Sequence, residues 1–336
     1  MTNPHRPCGP HARRFAPWRQ AAPLACVGAL LCASLLPAAS LAQAPAAAPA
    51  PAAAAPAVKL APALQRIRDS GVVTIGYRVD ASPFAMQYNG QAVGYAIDIC
   101  NELVEALRRD MKRVLRAEYV VVTAQTRFDM VRTGKAHMEC GTTINDPQRR
   151  KAGAVYSMPY FFSGPRILAR TTSPIEDFFD LRGKKVVVVK GTNSIPLLRR
   201  RLDAGTLPGM SLTELGSYGE ALDAVRTGTA DAFITLDVLH FGLRANSEKP
   251  SDYKVVGTYQ LLEPIALILP PDDPEMKQYV DRQLAALMLN GTVGRLYDKW
   301  FMQPIPPNNR ALEMPMSAVL RDQLRWPTDR LGDEVR

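Results

Sequence analysis

The chain has 336 residues, 47% hydrophobic and 22% charged, which is enough apolar side chain for one large domain or two modest ones. Its formal charge is +9, but the basic residues are scattered rather than clustered with aromatic ones, a pattern that argues against a nucleic-acid partner. The four histidines are dispersed and the cysteines lack the pair-of-pairs spacing of a zinc site, so no metal and no cofactor is expected.

The first residues fall into three blocks. Residues 1–20 carry Arg6, Arg13, Arg14 and Arg19 and no acid, residues 21–41 are almost wholly apolar, and Ala42-Gln43-Ala44 has the small-x-small form of a cleavage site. That order reads as a secretory signal peptide over 1–44, whose loss would take four positive charges off the +9 and leave +5. The residues before Cys26 and Cys32 fit a lipoprotein site poorly. Residues 45–62 are an alanine and proline tract that reads as an extended linker. Cys100 and Cys140 remain after cleavage. Export permits a disulfide between them, and two buried thiols are an equal alternative from spacing alone. No second long apolar span follows, so the mature chain is expected to be exported without an anchor.

Beyond the linker, strand and helix patterns alternate. Val72-Val73-Thr74-Ile75 is an apolar strand, Asn89-Gly90 a hairpin signal, residues 96–109 an amphipathic helix and residues 119–122 a further strand. This alternation predicts α/β layers with helices covering a mostly parallel sheet. Two internal echoes predict two similar lobes. Residues 128–136 and 222–230 share a helix that ends at a glycine before a short strand, and residues 72–78 and 186–192 share an apolar strand, a glycine and a polar tip. The first lobe is expected at 63–163 plus 258–309, the second at 164–257 and a tail at 310–336. The fold class is thus a two-lobed α/β architecture, with two crossing segments as a hinge and a ligand cleft between the lobes.

Residues just after parallel strands face such a cleft. Arg78 follows the first strand, Arg127 opens the helix after Val122-Thr123-Ala124, and Arg149 lies beyond the loop after Gly141. A guanidinium holds a carboxylate through paired hydrogen bonds, so convergence of these arginines predicts a ligand with more than one anionic group. Thr142, Thr143 and Thr192 can add hydroxyls and backbone N–H groups, and Tyr218 can stack on or hydrogen-bond a ligand. Trp300 and Phe301 are expected in the core.

From about Leu64 to Asn309 the chain resembles the bacterial extracellular solute-binding proteins of family 3, and among them the glutamate/aspartate-binding group that serves ABC importers. The matching stretches include Gly71 to Arg78, Ser82-Pro83-Phe84, Glu139-Cys140-Gly141-Thr142-Thr143, Arg149, Gly191-Thr192 and Lys299-Trp300-Phe301. The resemblance implies a monomeric periplasmic receptor, not an enzyme, that closes on a small carboxylate and delivers it to an ABC permease in the inner membrane. It implies that Arg149 clamps the α-carboxylate, that Arg78 and Arg127 hold the side-chain carboxylate, and that Thr142 and Thr192 add hydrogen bonds.

The sequence departs from the family pattern where the α-amino group is bound. Leu236 stands where the family has an aspartate, with Asp237 one residue later, Ile144 stands where the similar group has a threonine, and Tyr218 stands where it has a histidine. The ligand is therefore expected to be an acidic amino acid held by a shifted Asp237, with an amine-free dicarboxylate as the alternative. A dehydratase of the cyclohexadienyl or arogenate type on the same scaffold is a further alternative. It would need a general acid or base, and Glu139 and Asp146 are the acids near the first-lobe loop. A sensory module acting through a membrane partner is the third class.

Overall fold

The computed structural model describes residues 62–259 and 261–330. The signal peptide expected at 1–44 and all but the last residue of the linker expected at 45–62 lie outside the described residues.

Two five-stranded sheets organise the described chain, and both are laid out in the same way. In the first sheet the strand Val72–Tyr77 runs parallel to Arg116–Val121 on one side and to Met138–Glu139 on the other, and Ile268–Leu269 returns antiparallel before Val155–Tyr156 closes the edge. In the second sheet Lys185–Val189 lies parallel between Ser211–Leu215 and Ala232–Leu236, and Pro165–Arg170 follows antiparallel before Tyr253–Val256. Both sheets are therefore mixed, where the alternation of elements suggested mostly parallel ones. Lys185–Val189 is buried at four of its five positions and Ala232–Leu236 at all five, because helices cover both faces of a central parallel strand.

Helix boundaries follow local chemistry. The helix Tyr218–Thr227 starts at Ser217, whose side chain accepts from the Glu220 amide, and stops at Gly228 in the left-handed conformation. The helix Tyr95–Met111 buries Ile97, Leu103, Val104 and Leu107 at helical spacing. A disulfide joins Cys100 on this helix to Cys140, with Cα atoms 6.5 Å apart, so the open question of pairing or free thiols resolves as pairing. It ties the helix to the polar loop after Met138–Glu139.

Phe84, Tyr95, Tyr160, Phe161, Tyr297 and Phe301 form an aromatic cluster beneath the first sheet. Trp300 and Phe301 are core residues, as expected. The tail folds back onto this lobe. The helix Ala318–Arg325 buries Leu320, and the Gln323 amide donates to the Pro159 carbonyl at 3.0 Å.

Two segments cross between the sheets and pair with each other. Phe161–Ser163 and Glu263–Ile265 are antiparallel, with Ser163 opposite Glu263. Gly164 follows directly, and a Cβ there would sit 2.2 Å from the Leu261 carbonyl oxygen. Only glycine lets the crossing segments approach so closely.

Among the described residues no helix is long and apolar enough to cross a membrane, and no cluster of His, Cys, Asp or Glu could hold a metal ion.

Candidate ligand-binding site

The loops at the carboxyl ends of the central strands meet between the two sheets. Arg78, directly after Val72–Tyr77, is buried, and its Nη1 donates across the gap to the Tyr218 hydroxyl at 2.9 Å. Its Nη2 donates to both carboxylate oxygens of Asp80, at 2.9 and 3.1 Å, and the guanidinium lies 4.2 Å over the Tyr218 ring. Asp80 also accepts from the Tyr218 amide at 3.2 Å. The Arg78 charge is thus matched inside the protein.

Arg127 and Arg149 are not matched in this way. Arg127 is the first residue of the helix Arg127–Arg132, and Arg149 lies on the short helix Pro147–Lys151, whose N-cap Asp146 accepts from the Gln148 and Arg149 amides. The two guanidiniums share the Phe128 ring, at 5.3 and 5.2 Å from its centroid. Both donate to one carbonyl, that of Gly191 in the second lobe, at 3.3 and 3.0 Å. Burial pushes Arg127 down to about 10, opposed by Glu139 and reinforced by the Arg149 and Arg78 charges. Glu139 is fully buried beneath this cluster, and burial pushes its carboxyl up despite the arginines nearby. The loop therefore carries more positive charge than it neutralises.

The atoms that remain unpaired point to an anion. Nε of Arg78 and of Arg127, Nη1 of Arg149 and Oγ1 of Thr142 are all buried without a hydrogen-bond partner. Buried polar groups are normally satisfied, so orphaned donors of this kind between the two sheets mark a ligand site. Arg127 and Thr142 line a narrow cavity together with Thr192, Tyr218, Thr235 and Glu263 among others, and it opens into a wider cleft beside Arg149.

The lobes touch around the cavity. The Asn193 amide donates to Asp146 at 3.2 Å and Asn246 donates to Ser82 at 3.0 Å. Gly191 has φ +77°, and a Cβ on it would lie 2.8 Å from the Ala124 carbonyl oxygen. A Cβ on Gly242 would lie 2.3 Å from the Ser82 carbonyl oxygen.

Of the residues expected from sequence, Arg127, Thr142, Thr192 and Tyr218 line the cavity, Arg149 lines the cleft at its mouth, and Arg78 backs Tyr218. Thr143 is turned into the first lobe, where its hydroxyl donates to Glu139 at 2.8 Å. Asp237 does not reach the cavity. Its carboxylate accepts from the Ser163 and Tyr259 hydroxyls and, at 2.7 Å, from the Val238 amide. Its own amide donates to the Gly164 carbonyl at 2.9 Å. It ties the second-lobe helix Asp237–Asn246 to the two crossing segments. Leu236, the last residue of its strand, faces the cavity instead, as does Ile144. A one-residue shift at a strand end reverses the side chain, which is why an acid next to the expected position is not an acid in the site.

Sequence reasoning passed over Asp80, Asn193, Thr235 and Glu263. Glu263 had a usable signal: it is the acid directly before the apolar run Pro264 to Leu269.

The family model for bacterial extracellular solute-binding proteins, family 3, matches residues 73–303. The chain is 35% identical over 275 residues to an L-glutamate/L-aspartate-binding protein of Pseudomonas aeruginosa, covering 81% of this chain and 90% of that one. It is 33% identical over 269 residues to a glutamate/aspartate import solute-binding protein of Escherichia coli, covering 80% and 88%. Among solved structures it superposes on an ancestral amino acid-binding protein, described as a precursor of cyclohexadienyl dehydratase, with TM-score 0.61 and 28% identity over 71% of this chain and 99% of that one. With these matches and a cleft between two α/β lobes, the chain belongs to family 3 of the bacterial extracellular solute-binding proteins.

Proposed function

We propose that the protein is the periplasmic receptor of an ABC importer for an acidic amino acid, glutamate or aspartate, and that it captures its ligand by closure of the two lobes. The observation that carries this reading is the set of orphaned buried donors on Arg127 and Thr142, which line the narrow cavity, and on Arg149, which lines the cleft at its mouth. Two carboxylates on one small ligand would satisfy them, and the excess positive charge of the loop favours such a ligand over a neutral one. The names carried by the relatives point the same way. In this reading residues 1–44 direct export, residues 45–62 are a spacer, and a monomer presents its closed form to a permease.

A binding role rather than a catalytic one is supported by where the two loop acids lie. Glu139 is buried under Thr143, and Asp146 caps its helix and accepts from Asn193. Both carboxylates serve the protein's own structure.

The test is a thermal-shift screen of the leader-free protein against amino acids, dicarboxylates and aromatic acids. A ligand at a hundredfold excess over Kd stabilises the native state by about 2.7 kcal/mol. The reading predicts the largest shift from L-glutamate or L-aspartate. No shift from either would overturn it.

A further inference from the structure

An amino acid brings a positive charge as well as negative ones, and the cavity must accept it. The two positions that departed from the family pattern offer nothing: Leu236 and Ile144 line the cavity with hydrocarbon. Asp237 is committed to Ser163, Tyr259 and its own helix. Among the residues lining the cavity, Glu263 is the one acid.

We propose that Glu263, on the crossing strand Glu263–Ile265, is the residue that binds the ligand's α-ammonium group, in the position left open by Leu236. The inference rests on the amino-acid reading above. Three features carry it. Glu263 lines both the narrow cavity and the wider cleft, so it sits at the mouth where they join. It shares that cleft with Arg149, the arginine expected to clamp the α-carboxylate, and feels its charge. An α-amino acid carries its carboxylate and its ammonium on one carbon, so the cation and the acid that hold them must be neighbours. Finally, Glu263 accepts a hydrogen bond from the Asn193 side chain, but no arginine or lysine forms an ion pair with it among the described residues.

The position also makes recognition sensitive to pH. Burial pushes the Glu263 carboxyl up to about 7, the Asn193 hydrogen bond acts against it, Asp146 raises it further, and Arg149 and Arg200 lower it. Arg127 and Tyr218 line the same cavity. An ammonium group favours the ionised carboxylate, so its binding must expel a proton once the pH falls below about 7. Affinity for an amino acid then declines with acidification, while affinity for an amine-free dicarboxylate does not.

The experiment is calorimetric titration of L-glutamate and of glutarate into the wild-type protein and Glu263→Gln, at pH 5.5 and pH 8. The wild type is expected to prefer L-glutamate and to bind it more weakly at the lower pH. Glu263→Gln is expected to lose on the order of thirtyfold for L-glutamate, to keep its affinity for glutarate and to show no acid weakening. Retained glutarate binding also shows that the variant is folded. A variant that keeps both the preference for L-glutamate and its pH dependence overturns the role of Glu263 and leaves the receptor reading intact. A wild-type protein that binds neither L-glutamate nor L-aspartate overturns both.

Discussion

Arg78 and Tyr218 meet across the gap between the two sheets. The guanidinium donates to the phenolic oxygen at 2.9 Å while lying 4.2 Å over the ring, with Asp80 bracing both residues from the first lobe. One side chain from each lobe thus completes a contact that neither lobe forms alone. Tyr218→Phe keeps the ring under Arg78 and removes the hydrogen bond, whose net worth is about 1 kcal/mol. The expected result is ligand affinity weakened about fivefold with an unchanged melting temperature, measured by calorimetry and thermal denaturation. Unchanged affinity would mean that the hydroxyl contributes nothing to closure.

Gly191 is where the second lobe meets Arg127 and Arg149. Its carbonyl receives both Arg127 and Arg149, and a Cβ would meet the Ala124 carbonyl oxygen only while the lobes are together. Gly191→Ala should therefore penalise the closed form more than the fold. Overpacking and the positive φ predict a loss of about tenfold to a hundredfold in ligand affinity, with a smaller effect on unfolding. Small-angle scattering in saturating L-glutamate checks the cause, since the variant should remain more extended than the wild type.

Asp237 serves the hinge rather than the ligand. Asp237→Asn leaves the Ser163 and Tyr259 hydroxyls facing an amide in place of a carboxylate. A loss of about 1–3 kcal/mol in unfolding free energy is expected, read from denaturant titration. Discrimination between L-glutamate and glutarate should not change. A collapse of that discrimination would return Asp237 to the site and remove the need for Glu263.

The Cys100–Cys140 bond spans 40 residues and anchors the loop that carries Thr142. Replacing both cysteines by serine is expected to cost about 2–4 kcal/mol of stability. Reductant should lower the denaturation midpoint of the wild type towards that of the variant and leave the variant unaffected. Coincident curves for the two proteins would contradict this.

Much of this architecture can be read from short-range patterns. The turn at Asn89-Gly90 has both residues at positive φ, 50° and 76°, the chemistry that marks a hairpin in sequence. The repeated helix-glycine-strand unit was visible because each lobe builds its sheet in the same order around one central strand. Arg127 and Thr142 stood out because residues at strand ends in α/β folds face the cleft. What sequence could not supply depends on partners far away in the chain. Glu263 reaches the cavity because its strand pairs with Phe161–Ser163, about a hundred residues earlier. Asp237 leaves the cavity because the last strand residue and the first helix residue point in different directions, a phase that one residue decides.

The most direct test of the central claim is calorimetric titration of L-glutamate into the wild-type protein and into Arg149→Ala at neutral pH. Arg149 is only half-buried, so its truncation leaves the core intact. The account predicts saturable one-site binding by the wild type and a loss of at least about a hundredfold in the variant, as expected when one member of a desolvated charge pair is removed. Binding that survives Arg149→Ala undiminished would contradict it, and would place the ligand away from the cavity lined by Arg127 and the cleft lined by Arg149.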